Sequence, residues 1–238
     1  MLCNPYDPSL ARFNIMGDRR AQRITPSRIP PIVEREQPPE PPPKTNINPW
    51  MAEQPVARTP GIYAYIEALT GCLQRLSAQQ LITIAGRLRG IRDDYPGIVY
   101  VLGNGGSSAN ASHLVLHLRE AGMKAVDLMG DAAHLSALSN DHSYQEAPRL
   151  RLRAEATQDD VLVVISGSGN SVNVLVTLAE ASSIGMFCIG LLGFGGGSAK
   201  ALCDEAIVLE SKEYGPVEDA HSAVIHIVSG MLRKQQSL

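Results

Sequence analysis

The chain has 238 residues, 44% of them hydrophobic, which allows one substantial domain with an appendage and is short for two full ones. Acidic residues outnumber basic ones by 24 to 21, and the formal charge of −3 argues against nucleic acid or an acidic membrane as an obligate partner. There is no apolar run long enough for a spanning helix and no apolar leader at the N-terminus, and four scattered cysteines (Cys3, Cys72, Cys188, Cys203) without a CxxC read as reduced thiols, so the expectation is a cytoplasmic protein without a membrane anchor.

Residues 1–58 hold most of the sixteen prolines, including "RIPPIVEREQPPEPPPK", and their apolar residues follow neither a helical nor a strand period. Proline removes backbone donors and forces its predecessor into extended geometry, so the segment reads as a disordered or polyproline arm. A docking segment anchored by Trp50, the only tryptophan, is the alternative. From Gly61 to Pro96 the apolar spacing of three and four predicts two helices broken near Ser77, with Pro96 closing the second. Five short apolar runs follow, at 97–103, 124–129, 160–166, 186–193 and 205–210. Candidate helices separate them, near 108–121, 131–139, 145–157, 170–184 and 197–203, and a last one covers about 216–235. Continuous β-branched runs alternating with helices predict an α/β fold, a doubly wound and mostly parallel five-stranded sheet behind an N-terminal helix pair, within one domain over 59–238.

Ligands of such sheets bind beyond the carboxyl ends of the strands. There the sequence places "GNGGSS" after the first strand, "SGSGNS" after the third and "GFGGGS" after the fourth. Glycine lets backbone amides approach an anion, a helix start adds a favourable dipole, and serine donates. The dinucleotide pattern GxGxxG fails in the first loop at Ser108, and no GxxxxGK[ST] exists. Without a lysine or arginine in the first or second loop to balance a triphosphate, these hydroxyl-rich loops suit one small phosphate monoester.

"GNGGSSANASH", the "SND" at 139–141, "DVLVVISGSGNSVNV" and "EDAHSAVIHIV" together resemble the sugar isomerase (SIS) domain, and more specifically the phosphoheptose isomerases, which act on sedoheptulose 7-phosphate. The resemblance runs from about Gly61 to Leu238. It implies a homotetramer with active sites at subunit interfaces, and a sugar phosphate held by Asn104, Gly105, Gly106 and Ser107, by Ser166, Gly167, Ser168 and Ser171, and by Asn140 and Asp141. It implies a catalytic pair at positions 117 and 226. His226 matches, but the family's glutamate is here His117. It further implies zinc on His113, His117, Glu218 and His226, with Glu218 in place of the family's glutamine, Gly167 in place of a threonine and Gly215 in place of an aspartate. A related branch, the DnaA initiator-associating proteins, implies the alternative of a non-catalytic tetrameric adaptor, and another SIS activity such as epimerisation is a third reading.

The residues support the metal on their own chemistry. His113 and His117 are i and i+4 on one helix face, and Glu218 and His226, eight apart, can also face one way. Such nitrogen and oxygen donors suit zinc or a similar divalent ion. An aldose–ketose isomerisation needs a base over the carbons, an acid or metal on the carbonyl, and a phosphate grip. His117 or Glu218 is the candidate base and His226 the partner acid. His221 is off the spacing of that pair and reads as packing or solvent-facing, His134 as structural, and His142 as a neighbour of the substrate.

Overall fold

The computed structural model describes residues 59–94 and 97–233. The proline-rich arm over 1–58, Trp50, Cys3 and Pro96 all lie outside the described residues. Helices α1 (Thr59–Gln74) and α2 (Ala78–Asp93) form the pair predicted before the sheet. The break between them is chemical: the Ser77 hydroxyl accepts from the Gln80 amide at 3.3 Å and caps α2.

The sheet follows as β1 (Ile98–Gly103), β2 (Lys124–Asp127), β3 (Val161–Ser166), β4 (Phe187–Leu192) and β5 (Glu205–Val208). Between the strands run α3 (Gly106–Glu120), α4 (Ala132–Asp141), α5 (Ala147–Glu155), α6 (Val172–Ile184) and a short 3-10 helix (Ser198–Leu202), and α7 (Tyr214–Leu232) closes the domain. All pairings are parallel and the order is β2-β1-β3-β4-β5. The chain therefore changes direction across the sheet between β1 and β3, which puts the loops after these two strands side by side.

Strand alternation divides the core in two. Val99, Val101, Val163, Ile165, Ile189, Leu191 and Ile207 face one side, against α2, α3 and α7. Tyr100, Leu102, Leu162, Val164, Cys188 and Leu192 face the other, against Leu152 of α5 and Val174, Leu178 and Ala181 of α6. With both faces covered, every residue of β3 is buried. Helix α7 packs against α1, α2 and α3, so four helices form one layer on the first face.

Two predicted elements differ from their sequence reading. "SND" at 139–141, at and beyond the end of the helix predicted near 131–139, is the last turn of α4, which continues to Asp141. Helix α3 starts at Gly106, earlier than the apolar period indicates, because Gly105 at φ 56° turns the chain directly out of β1. No helix among the described residues is long and apolar enough to cross a membrane.

Candidate active site

The two adjacent loops enclose a cavity of about 280 Å³ lined by Asn104 to Ser107, Ile165 to Ser168, Ser171, Tyr214 and Glu218. Eight of the residues read from the sequence as a phosphate grip (Asn104, Gly105, Gly106, Ser107, Ser166, Gly167, Ser168 and Ser171) lie in this lining. Asn140 and Asp141 do not. They end α4, exposed, with the Asn140 amide donating to Asp141 at 3.0 Å. His142 caps the same helix end, exposed, and His134 lies in its first turn, where its amide is bonded by Asp131.

Three helices begin at this cavity: α3 at Gly106, α6 after Ser171 and α7 at Tyr214. None of the three is capped by its own N-cap side chain; of the helices that start elsewhere, α2 and α4 are capped by Ser77 and Asp131 and α5 is not. Uncapped helix starts carry donors and the positive end of the dipole, so the cavity favours an anion. One protein anion is already seated there. The Glu218 carboxylate lies directly against the Gly106 backbone, where a side chain at 106 would overlap it. It is the only acidic side chain of the lining.

Several residues that position the site carry no sequence motif. Asn104 and Asn173 exchange two side-chain hydrogen bonds, at 2.9 and 2.8 Å, and the Tyr144 hydroxyl donates to Asn104 at 2.8 Å. Together they tie the first loop to α6 and to the start of the segment before α5. Asn110 donates to the Glu218 carbonyl at 2.9 Å, fixing α7 against α3 at the height of the carboxylate. Tyr214 is the one aromatic wall of the cavity. Its sequence neighbourhood, "SKEYGPVE", gives no sign of this.

The third glycine loop has a different task. Residues 193–198 are absent from the lining and support the second loop from behind. A Cβ at Gly169 would overlap the Gly196 carbonyl, one at Gly197 the Ser168 carbonyl, and one at Gly193 would meet the Gly167 carbonyl at 2.8 Å. The Gly193 amide also donates to Ser166 and the Ala199 amide to Gly169. The glycines are there for backbone-on-backbone packing.

On the outer side of α3 the three histidines come together. His113, His117 and His226 have potential ligand atoms all within 4.8 Å of one another, with ring centroids 4.6 to 5.1 Å apart. The Nε2 atoms of His113 and His117 are 2.9 Å apart. The Nδ1 of His117 faces the Glu120 carboxylate at 3.0 Å, which assigns the proton to Nδ1 and leaves Nε2 as the lone pair turned into the cluster. Desolvation, and then the neighbouring His117 and His226, hold the His113 pKa below the usual imidazole value. Three imidazoles, one oriented by a carboxylate, form a donor set that fits zinc or a similar divalent ion. Glu218 is not a member of this cluster. Its carboxylate is in the cavity instead. His221, on the inner face of α7, is fully buried, and burial pushes its pKa down to about 4.

A parallel sheet of this order with a phosphate-type cavity at its switch point defines a class, and the SIS domain family matches over residues 64–193, more than half of the chain. Among curated proteins, the phosphoheptose isomerase of Helicobacter pylori is 32% identical over 177 residues, covering 72% of this chain and 91% of its own. That of Pelobacter propionicus is 38% identical over 140 residues, covering 56% and 74%. Among solved structures, the phosphoheptose isomerase GmhA of Neisseria gonorrhoeae superposes with a TM-score of 0.69 at 27% identity, over 74% of this chain and 97% of its own. The chain belongs to the SIS domain family and, within it, to the phosphoheptose isomerases.

Proposed function

We propose that the chain is an aldose–ketose isomerase acting on sedoheptulose 7-phosphate or a closely related seven- or eight-carbon ketose phosphate. The observation that carries this reading is the cavity itself, where two hydroxyl-rich loops and uncapped helix starts converge around one carboxylate. Like charges separate, so the phosphate belongs at the second loop, with Ser166, Ser168, Ser171 and the start of α6. The Glu218 carboxylate, over Gly106, marks the reacting end.

In the ketose-to-aldose direction, Glu218 takes a proton from C1 and the electron pair forms the C1–C2 double bond of the enediol. The O1 hydroxyl proton passes to the C2 oxygen as that carbonyl opens, and His226, in the histidine cluster outside the cavity lining, is kept for the ion. Glu218 then returns its proton to C2 as the new carbonyl forms at C1, and ends as the carboxylate it began as. Asn104, held by Asn173 and Tyr144, orients the chain between the two ends. His113, His117 and His226 would hold a zinc or similar ion, which when bound supplies Lewis-acid polarisation of the substrate oxygens.

The same reading has the protein act as a homotetramer in a reducing cytoplasm. The apolar side chains of Ile62, Tyr63 and Ile66, exposed by 62, 66 and 52% on α1, support association, and free Cys72, Cys188 and Cys203 suit reducing conditions. The test is NMR of metal-replete protein with a panel of five- to eight-carbon ketose phosphates in deuterium oxide. Sedoheptulose 7-phosphate is expected to interconvert with an aldose while exchanging deuterium into the sugar. Glu218→Gln is expected to lower kcat at least a hundredfold, the usual range for loss of a general base. No conversion of any member of the panel would leave the adaptor reading in its place.

A further inference from the structure

The aromatic wall of the cavity assigns a role that the isomerase chemistry alone does not require. We infer that Tyr214 is the residue that seats the carbon chain of the sugar phosphate and sets its length preference. This rests on the isomerase reading. Tyr214 is the first residue of α7 and is 57% exposed, yet its ring is wedged between two loops. Below it, the ring carbons lie 2.9 Å from where a Cβ on Gly167 would stand, so that any side chain at 167 would displace the ring. Behind it, the Phe194 ring meets it edge-on with centroids 4.7 Å apart.

Phe194 holds that position at a cost. It is the only non-glycine residue at positive φ, 49°, among the described residues. An aromatic residue in the left-handed region persists only where its surroundings over-determine it, and such strain collects at functional sites. The strain here aims one ring at the edge of another. A third contact fixes the helix that carries it: the Tyr65 hydroxyl donates to Asp219 at 2.5 Å, and its ring lies 2.8 Å from a Cβ position on Gly215.

The placement names the substrate part. Tyr214 and Glu218 are four residues apart on α7, so their backbone positions stand about one turn, roughly 6 Å along the axis, apart on one face. The ring adjoins Gly167 of the phosphate-gripping loop, and the carboxylate marks the reacting carbons. Between them runs the middle of the carbon chain, whose C–H groups find an apolar face there while the hydroxyls turn to the polar wall. A five-carbon ketose phosphate has too little chain to use that face, and a seven-carbon one has enough.

The experiment compares wild type, Tyr214→Ala, Tyr214→Phe, Gly167→Ala and the Gly167→Ala/Tyr214→Ala double variant. Their kcat and KM are measured on sedoheptulose 7-phosphate and ribulose 5-phosphate, beside calorimetric affinity, metal content and thermal midpoint. Tyr214→Ala is expected to raise KM for the seven-carbon sugar at least tenfold, with a much smaller fall in kcat, and to narrow the preference over the five-carbon one. Tyr214→Phe is expected to recover most of that loss. Gly167→Ala should act like Tyr214→Ala, and the double variant should be no worse than Tyr214→Ala alone, because a ring already gone cannot be displaced. An unchanged KM in Tyr214→Ala, or fold-changes that simply multiply in the double variant, would overturn the assignment while leaving the isomerase reading intact. A wild type that neither binds nor converts either sugar would overturn both.

Discussion

At the scale of single residues, His117 decides how this chain handles charge at its histidine cluster. Its Nδ1 is matched to Glu120 at 3.0 Å and its Nε2 points at His113 at 2.9 Å. An imidazole held in that way is a ligand with its lone pair preset, and a poor proton acceptor once metallated. His117→Ala is expected to lose the metal together with turnover, as elemental analysis beside deuterium exchange into the sugar will show. Fully metallated but inactive protein would make His117 the base instead. Glu120→Gln keeps the shape and loses the charge that orients the ring, and should weaken zinc or cobalt binding about ten- to hundredfold by competition titration. His113 and His117 are legible as a pair because i,i+4 spacing is local. Glu120 is not, since an exposed carboxylate at i+3 reads as ordinary helix surface.

At the scale of elements, the strands and helices were readable because each obeys a local period, and both faces of the sheet demand continuous apolar runs. The loops were readable only by composition, which is why "GFGGGS" looks like a ligand loop in sequence and packs as a support in the fold. Glycine for approach to an anion and glycine for approach to another backbone have the same letter. Asn173, Asn110, Tyr144 and Tyr214 stayed hidden for the complementary reason: their partners lie 40 to 108 positions away, or across a loop, and only the fold brings them together. Two substitutions in the third loop separate conformation from contact. Gly195, at φ 84° with open space around it, loses only backbone freedom as Gly195→Ala, about 1 kcal/mol. Gly197, at φ 54° against the Ser168 carbonyl, must also push the second loop, so Gly197→Ala should cost more than about 2 kcal/mol. Urea midpoints measure both, and equal values would show that the loops are not in fact packed.

At the scale of the whole molecule, the stability of the domain depends on pH through a residue that does no chemistry. His221 is fully buried on α7, with a Leu192 backbone group set against its ring. Its pKa is about 4 in the fold against an ordinary 6.5. The unfolded chain therefore takes a proton as pH falls through 6.5 while the folded chain does not until about 4. Stability is complete above that window and declines by about 3 kcal/mol across it, for this residue alone. Denaturant titrations between pH 7 and 4 should show the decline, and His221→Leu should flatten it. An unchanged slope in the variant would assign the acid sensitivity elsewhere. The same helix carries Tyr214, Glu218 and His226 and is packed against α1, α2 and α3. In the function proposed above, recognition, proton transfer and metal holding thus share one rod with the largest part of the core. A protein built this way has no dimmer: warming is expected to loosen these tasks together, so that its heat-inactivation curve and its calorimetric transition should coincide.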